Sequence, residues 1–254
     1  MLRTGEARII PVRATLLREK KEKAKMDANG LTVLNQKIIT CRKCPRLVRH
    51  REEVARTKRR AFRECTYWGR PVPGFGDANA ELLIIGLAPA AHGANRTGRM
   101  FTGDRSGDFL YQHLYFAGLA SQSTSTHCED GLKLRNAYIT AAARCPPPEN
   151  RPLPKELESC SGYLERELEL LKPKAVLALG KIAFEAFLKV LVRNGAIPSR
   201  AGYAFSHGAH FELPGELPRL FASYHPSQQN TQTGRLTSKM FQNVLQKIRR
   251  FLDA

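Results

Sequence analysis

Four short runs of uninterrupted apolar residues, each followed by a helical pattern, limit this chain's fold more than any other feature. The runs are Leu82-Leu-Ile-Ile-Gly-Leu87, Ala137-Tyr-Ile-Thr-Ala-Ala-Ala143, Ala175-Val-Leu-Ala-Leu179 and Leu220-Phe-Ala-Ser-Tyr224. A strand with one wet face alternates polar and apolar residues. These runs do not alternate, so they predict strands covered on both faces, as in a parallel sheet. The segments Gly107 to Ala117, Leu153 to Leu171, Lys181 to Val192 and Thr237 to Leu252 follow them in turn. Leu164, Leu168 and Leu171 have the spacing of a core-facing helix. Strand–helix alternation predicts a layered α/β domain with right-handed crossovers. Such sheets bind ligands beyond the carboxyl ends of their strands, so chemistry is expected just after Leu87, Ala143, Leu179 and Tyr224.

A length of 254 residues admits one large domain or two small ones. No internal repeat is present, and the division read from the sequence is a basic arm over residues 1–30 and a single domain over 31–254. The domain opens with a helical, basic element from Leu31 to Arg63. No apolar stretch reaches the roughly 20 residues that cross a bilayer, so no membrane association is expected. The first 30 residues lack the apolar stretch of a secretory signal, which predicts a reducing, cytoplasmic setting. The net charge is +18, and 20 of the 41 Lys+Arg but only 7 of the 23 Asp+Glu lie in residues 1–70. Charge of that sign predicts a polyanionic partner. The stretch Arg18-Glu-Lys-Lys-Glu-Lys-Ala-Lys25 reads either as a solvated basic arm or as one that touches DNA.

The six cysteines are Cys41, Cys44, Cys65, Cys128, Cys145 and Cys160. In a reducing compartment they read as ligands or free thiols rather than disulfides. Cys41-Arg-Lys-Cys44 is a C-x₂-C pair, a spacing that lets two thiolates face one metal centre. Cys145 and Cys160 flank the Pro-rich segment that begins Pro146-Pro-Pro-Glu-Asn-Arg. Spacing alone does not separate zinc from an iron–sulfur cluster, and two plain thiols remain a third reading. Cys65 and Cys128 read as ordinary cysteines.

Two strand-end loops carry the polar and aromatic residues that chemistry would need. The first, Gly86 to Asp104, reads G-L-A-P-A-A-H-G-A-N-R-T-G-R-M-F-T-G-D. No G-K-[ST] follows its glycines, so it is not a P-loop. Its glycines, Gly86 first among them, allow tight turns and close backbone approach to a ligand. Phe101 is either an aromatic platform for a base or a core plug. Asp104 is either a general base or the N-cap of the following helix. The second loop is Tyr224-His-Pro-Ser-Gln-Gln-Asn-Thr-Gln-Thr-Gly-Arg-Leu236, with His225 at the strand end. A histidine there is a site element or simple loop polarity.

The run at 86–104 resembles the first motif of the B-type, or family 5, uracil-DNA glycosylases. The run from Tyr224 to Thr237 resembles their second motif. Cys41-x₂-Cys44-Pro-Arg-Leu-Val and Ala141-Ala-Ala-Arg-Cys145-Pro-Pro-Pro-Glu-Asn-Arg-Pro-Leu-Pro, followed by Cys160, are similar to the family's cluster-binding segments. The resemblance covers about Cys41 to Leu252. The A-type relatives begin their first motif G-E-A-P-G, where this chain has Leu87 in place of the glutamate.

The resemblance implies an α/β/α sandwich with a central four-stranded parallel sheet. It implies a structural 4Fe–4S cluster on Cys41, Cys44, Cys145 and Cys160, and DNA as the partner of a monomer. The implied reaction is hydrolysis of the N-glycosidic bond of uracil, and of other deaminated or modified bases, leaving an abasic site. Phe101 would stack on the flipped base, His225 would donate a hydrogen bond to its oxygen, and Asp104 would activate water with Asn150 as helper. Read alone, Asn150 is a turn residue in a Pro-rich loop. Ala88 stands where better-known uracil glycosylases place an acid in the base pocket, and Ala141 where they place an asparagine. The competing reading is a non-catalytic nucleic-acid-binding module stapled by zinc or an iron–sulfur centre.

Overall fold

The computed structural model describes residues 27–254. Six strands form one sheet in the order β1-β3-β2-β4-β6-β5. The four central strands are β2 (Leu82–Gly86), β3 (Ala137–Ala141), β4 (Ala175–Leu179) and β6 (Arg219–Ser223), and all pair in parallel. These are the four apolar runs: β2 and β3 stop one and two residues earlier, β4 coincides, and β6 begins and ends one residue earlier. Two further strands lie antiparallel at the edges, β1 (Phe75–Gly76) on β3 and β5 (His210–Phe211) on β6. The sheet is therefore six strands wide, not four, and its parallel part is the expected one.

Continuous hydrophobicity is explained by what covers each face. Leu82, Ile84, Ile139 and Leu177 point into one core with Leu110, Leu114, Phe241 and Leu245. Their neighbours Leu83, Ile85, Tyr138 and Val176 point into a second core with Leu34, Ile38, Leu164, Phe184 and Leu188. Successive strand residues face opposite ways, so both alternating sets must be apolar. The short helices α3 (Ala94–Thr97) and α7 (Gln228–Gln232) lie in the two strand-end loops, and the first layer is α4 (Arg105–Phe116) with α8 (Ser238–Leu252). The second is α1 (27–39), α5 (Pro154–Leu171) and α6 (Lys181–Arg193). The result is the α/β/α sandwich.

The Leu31–Arg63 element is two helices, α1 and α2 (Pro45–Thr57), with the C-x₂-C pair in the connection between them. Pro45 at the first position of α2 costs no hydrogen bond, because that N–H has no helical partner anyway. Residues 27–30 are already helical, and Gly30 lies so close to α5 that a Cβ there would stand 2.7 Å from Leu170. The rest of the basic arm, including Arg18–Lys25, lies outside the described residues. No helix among the described residues is long and apolar enough to cross a membrane.

Strand order places the crevice. From β2 the chain moves to β3 on one side, then crosses to β4 on the other. Connections therefore leave the carboxyl ends of β2 and β4 in opposite directions, the point where α/β sheets bind ligands.

Candidate active site

A cleft of about 290 Å³ opens at that switch point, lined by Leu87 after β2, Leu179 to Ile182 after β4, and Tyr224 and His225 after β6. Phe205, Asn230 and Arg235 complete its wall. His225 is held from two sides. Asn230 Nδ2 donates to the His225 carbonyl at 2.9 Å, and Gly180 approaches so closely that a Cβ there would stand 3.3 Å from His225 Cβ. Gly180 has φ +94°, a conformation that suits glycine. Burial depresses the imidazole pKa to about 4, so the ring is neutral at neutral pH. A neutral ring carries one N–H to donate.

Phe101 reaches the cleft through His225: the two rings stack with centroids 5.7 Å apart and planes 30° from parallel. The other side of the phenyl ring lies against Gly86, where an added Cβ would meet Cε2 and Cζ at 2.8 Å. Phe101 has φ +53°, left-handed backbone that a bulky residue adopts only when its surroundings enforce it. Both readings of Phe101 thus hold at once. It is 9 % exposed and packs with the core, yet it stands beside the cleft histidine in strained backbone.

Asp104 caps α4. Its Oδ1 accepts from Gly107 N–H at 3.0 Å. Its Oδ2 lies against Gly93, where a Cβ would stand 1.9 Å away. Burial raises the carboxyl pKa, against the lowering effect of the Gly107 and Ser106 N–H groups. The cap bond falls on Oδ1, and the Ser106 N–H also faces the carboxylate. Asp104 and Phe101 belong to one turn, because the Phe101 carbonyl packs on Gly107 where a Cβ would stand 1.7 Å away.

The other expected site residues fall less centrally. Ala88 is half-buried directly after Leu87. Asn150 ends a 3₁₀ turn, Pro148–Asn150, with φ +57°, and is exposed. Of the expected site residues only His225 lines the cleft; Asn150, Asp104, Phe101, Ala88 and Gly86 are not among its lining residues. Several residues that the sequence did not point to hold the first-motif loop in place. Arg99, 4 % exposed, donates to Thr102 Oγ1, Ser125 Oγ and Asp130 Oδ2. Arg96 donates to the His92 and Gly103 carbonyls, and Tyr67 Oη lies 2.9 Å from His92 Nδ1. Breaking a buried pair such as Arg99–Asp130 costs about 3–5 kcal/mol, because one charge stays buried alone.

The four paired cysteines gather at a second strand-end corner. Charge on Cys160 and Cys41 raises Cys145, and charge on Cys44 and Cys41 raises Cys160, in each case after the larger effect of burial. Burial takes the Cys145 thiol to about 12. Two buried guanidinium groups face this corner. Arg51 Nη1 donates to Cys145 Sγ at 3.0 Å and to the Cys41 carbonyl at 3.2 Å. The Arg144 N–H donates to Cys160, while its guanidinium pairs with Glu167. Arg51 Nε and Arg144 Nε and Nη1 are buried without partners. Four converging sulfurs with unpartnered cationic donors around them fit an anionic thiolate-bound group. Among the described residues no three His, Cys, Asp or Glu side chains close around a metal ion. Cys65 is half-buried and Cys128 exposed, both apart from this corner and both free.

Arg51 also joins the two regions, since its carbonyl accepts from Asn95 Nδ2 in the first-motif loop at 3.3 Å. No spacing rule exposes such a link, because its partners are a sulfur and an amide far away in sequence.

Residues 73–249 match the family model of the uracil DNA glycosylase superfamily. The chain belongs to this superfamily, in its type-5 branch. A type-5 uracil-DNA glycosylase of Thermus thermophilus is 54 % identical over 217 residues, covering 85 % of this chain and 95 % of that protein. One from Mycobacterium bovis is 49 % identical over 225 residues, or 88 % and 82 % of the two chains. A type-4 uracil-DNA glycosylase of Archaeoglobus fulgidus is only 29 % identical over 195 residues, 76 % of this chain and 79 % of that protein. The ranking agrees with Leu87 standing where the A-type motif has glutamate.

Proposed function

We propose that this protein is a monofunctional uracil-DNA glycosylase of base excision repair, hydrolysing the bond between C1′ of deoxyribose and N1 of uracil. The observation that carries this reading is a neutral histidine stacked on a strained phenylalanine at the switch-point cleft. The base must leave the helix to reach it, and an aromatic face with a directional donor suits a flipped base. As C1′–N1 breaks, the electron pair stays on the base and negative charge appears on its oxygen. His225, held neutral, donates its N–H there, a contact worth about 3–4 kcal/mol when made only in the transition state. Asp104 is assigned the proton of the attacking water through the carboxylate whose Oδ1 also caps α4. The hydroxyl bonds to C1′, and the proton ends on the released base. Asn150, exposed on the Pro-rich loop, is assigned as the helper.

Ala88 leaves this part of the pocket without an acid, which supports acceptance of hypoxanthine and modified pyrimidines beside uracil. Cys41, Cys44, Cys145 and Cys160 would hold a 4Fe–4S cluster, supported by the cation-rich sulfur corner. The cluster would supply a cross-link from the α1–α2 connection to the β3–α5 connection and α5. The reading carries with it a single chain acting on DNA in the cytoplasm.

Release of uracil from a uracil-containing duplex, followed by chromatography of the free base, tests the activity. Tight binding without release returns the non-catalytic module. Lys181 lines the cleft and lies 3.7 Å from Glu185, so strand nicking is measured in the same assay. A nick abolished by Lys181→Ala overturns the monofunctional assignment, because it requires an amine attack at C1′.

A further inference from the structure

We infer that the turn from Lys58 to Arg63, clamped onto the first-motif loop, grips backbone phosphates of undamaged duplex beside the flipped nucleotide. The inference rests on the DNA reading above and assigns a surface that the reaction itself does not use.

The turn is rigid with respect to the loop. Lys58 ends α2 with φ +54°, and its Nζ donates to the Arg63 carbonyl at 3.0 Å. Phe62 lies under the Arg96 guanidinium at 4.0 Å, and Arg96 is itself bonded to His92 and Gly103. Trp68 N–H and Gly69 N–H donate to the Arg96 and Asn95 carbonyls. Burial, then the charges of Arg59 and Arg96, depress His92, which places Arg59 against the same loop.

Most cations just before the turn are paired, whereas those of the turn are not. Along the C-x₂-C connection and α2, Arg42 pairs with Glu52, Arg46 with Glu156 and Arg56 with Glu53, and of the Lys and Arg in that stretch only Lys43 and Arg49 form no ion pair among the described residues. Arg59, Arg60, Arg63 and Arg70 are exposed, and none forms an ion pair among the described residues. Glu64 is the one carboxylate between residues 58 and 70. Ordered backbone thus holds several unpaired guanidinium groups together, against their mutual repulsion. A duplex carries a negative charge about every 1.7 Å of axis, a density that a row of such groups matches better than any single small anion. Across the cleft, exposed Arg235 lies over Tyr224 at 4.8 Å, so cations flank the base site on a second side.

The test uses the full chain carrying Arg59→Gln, Arg60→Gln and Arg63→Gln together, with undamaged duplex as the probe. The slope of log Kd against log salt should fall by about 2–3, at roughly 0.9 per lost phosphate contact. Single-turnover uracil release at saturating duplex should stay within about twofold. The control is Lys172→Gln with Lys247→Gln, beside the starts of β4 and β6 at the far end of the sheet. It should leave the slope unchanged. Equal slopes for the triple variant and the control overturn the inference. A lower saturated rate with an unchanged slope also overturns it, by making the turn a brace for the loop. Because the probe contains no uracil, the slope result stands whether or not the chain excises the base.

Discussion

The cysteine corner and the base cleft both lie beyond carboxyl ends of the same sheet, yet they are built on opposite electrostatic plans. The corner gives its sulfurs a cationic donor from buried Arg51 and a backbone N–H from Arg144, whose guanidinium is buried nearby, and is tied down by the Arg46–Glu156 pair between α2 and α5. The cleft lacks a buried cation among its lining residues. Its histidine is held neutral, a carboxylate nearby in sequence to Phe101 is biased toward its proton, and its aromatic ring sits in strained backbone. A corner saturated with fixed charge suits a permanent group. A cleft without one suits charge that exists only while a bond is breaking. On the proposed function, chemistry belongs to the cleft and mechanical integrity to the corner, and substitutions in each should separate the two.

Asp104 should give the largest effect on rate. Asp104→Asn keeps a cap acceptor for Gly107 N–H but cannot take a proton, so single-turnover release should fall by about 10²–10⁴ with stability nearly unchanged. Asp104→Ala should lose the same rate and also about 0.5–2 kcal/mol of stability with the cap. Full activity in Asp104→Asn would confine the residue to capping and move water activation to Asn150 or the loop backbone.

His225→Ala should cut release by about 10²–10³ through loss of a transition-state donor, leaving duplex affinity and metal content unchanged. The pH behaviour has a defined sign. The folded pKa of His225, about 4, lies below its ordinary 6.5, so the folded protein binds fewer protons between those values. That contribution to stability is full above 6.5 and is lost as pH falls toward 4. Asp104 acts oppositely: its raised pKa makes stability fall as pH rises through and above the ordinary 3.8, while the rate rises as the carboxylate ionises. Melting curves from pH 4 to 7 should flatten in His225→Ala. An unchanged slope there would mean that the ring titrates in the fold as it does in the unfolded chain.

In the corner the order of effects should reverse. Cys41→Ser and Cys160→Ser should lower Tm by about 10 °C and abolish iron retention, because a metal site bound only in the fold contributes its binding energy to folding. The protein that remains folded should release uracil at near the parent rate when saturated with DNA. Arg51→Met should shift the absorbance or potential of the bound centre, since it removes the donor to Cys145 Sγ. Colourless protein with one zinc per chain would replace the cluster by a single ion.

How far these regions could be read from the sequence follows from the range of the interactions involved. The four central strands were legible because both faces are covered, which leaves a run such as Leu82–Ile85 with no polar position. The edge strands Phe75–Gly76 and His210–Phe211 were not, because two residues are too few to show a period. At the site, His225 and Phe101 were legible from strand ends and motif, and the structure joins them by stacking. Asp104 was legible as two alternatives, of which the structure shows the helix cap on Oδ1. Arg51, Asn95 and Arg99 were hidden, because a buried polar residue looks like a surface one until its distant partner is known. Asn230 was hidden for a different reason: its work is done on a backbone carbonyl, which no side-chain pattern records.

The smallest effects should come from the two remaining cysteines, and they test whether cysteine identity matters only in the corner. Cys65 follows the Arg60–Phe62 turn, and its recorded bond is from its own N–H to the Phe62 carbonyl. Cys128 is exposed, and its carbonyl, not its sulfur, accepts from Arg99 Nη1. Serine preserves both backbone bonds and is nearly the same size. Cys65→Ser and Cys128→Ser should therefore change stability by less than about 0.5 kcal/mol, with iron content and uracil release unaltered. Loss of iron in Cys65→Ser would be the informative failure. It would draw the 58–70 clamp into the metal site, and the cysteine corner would then extend along α2 to the first-motif loop instead of ending at Arg51.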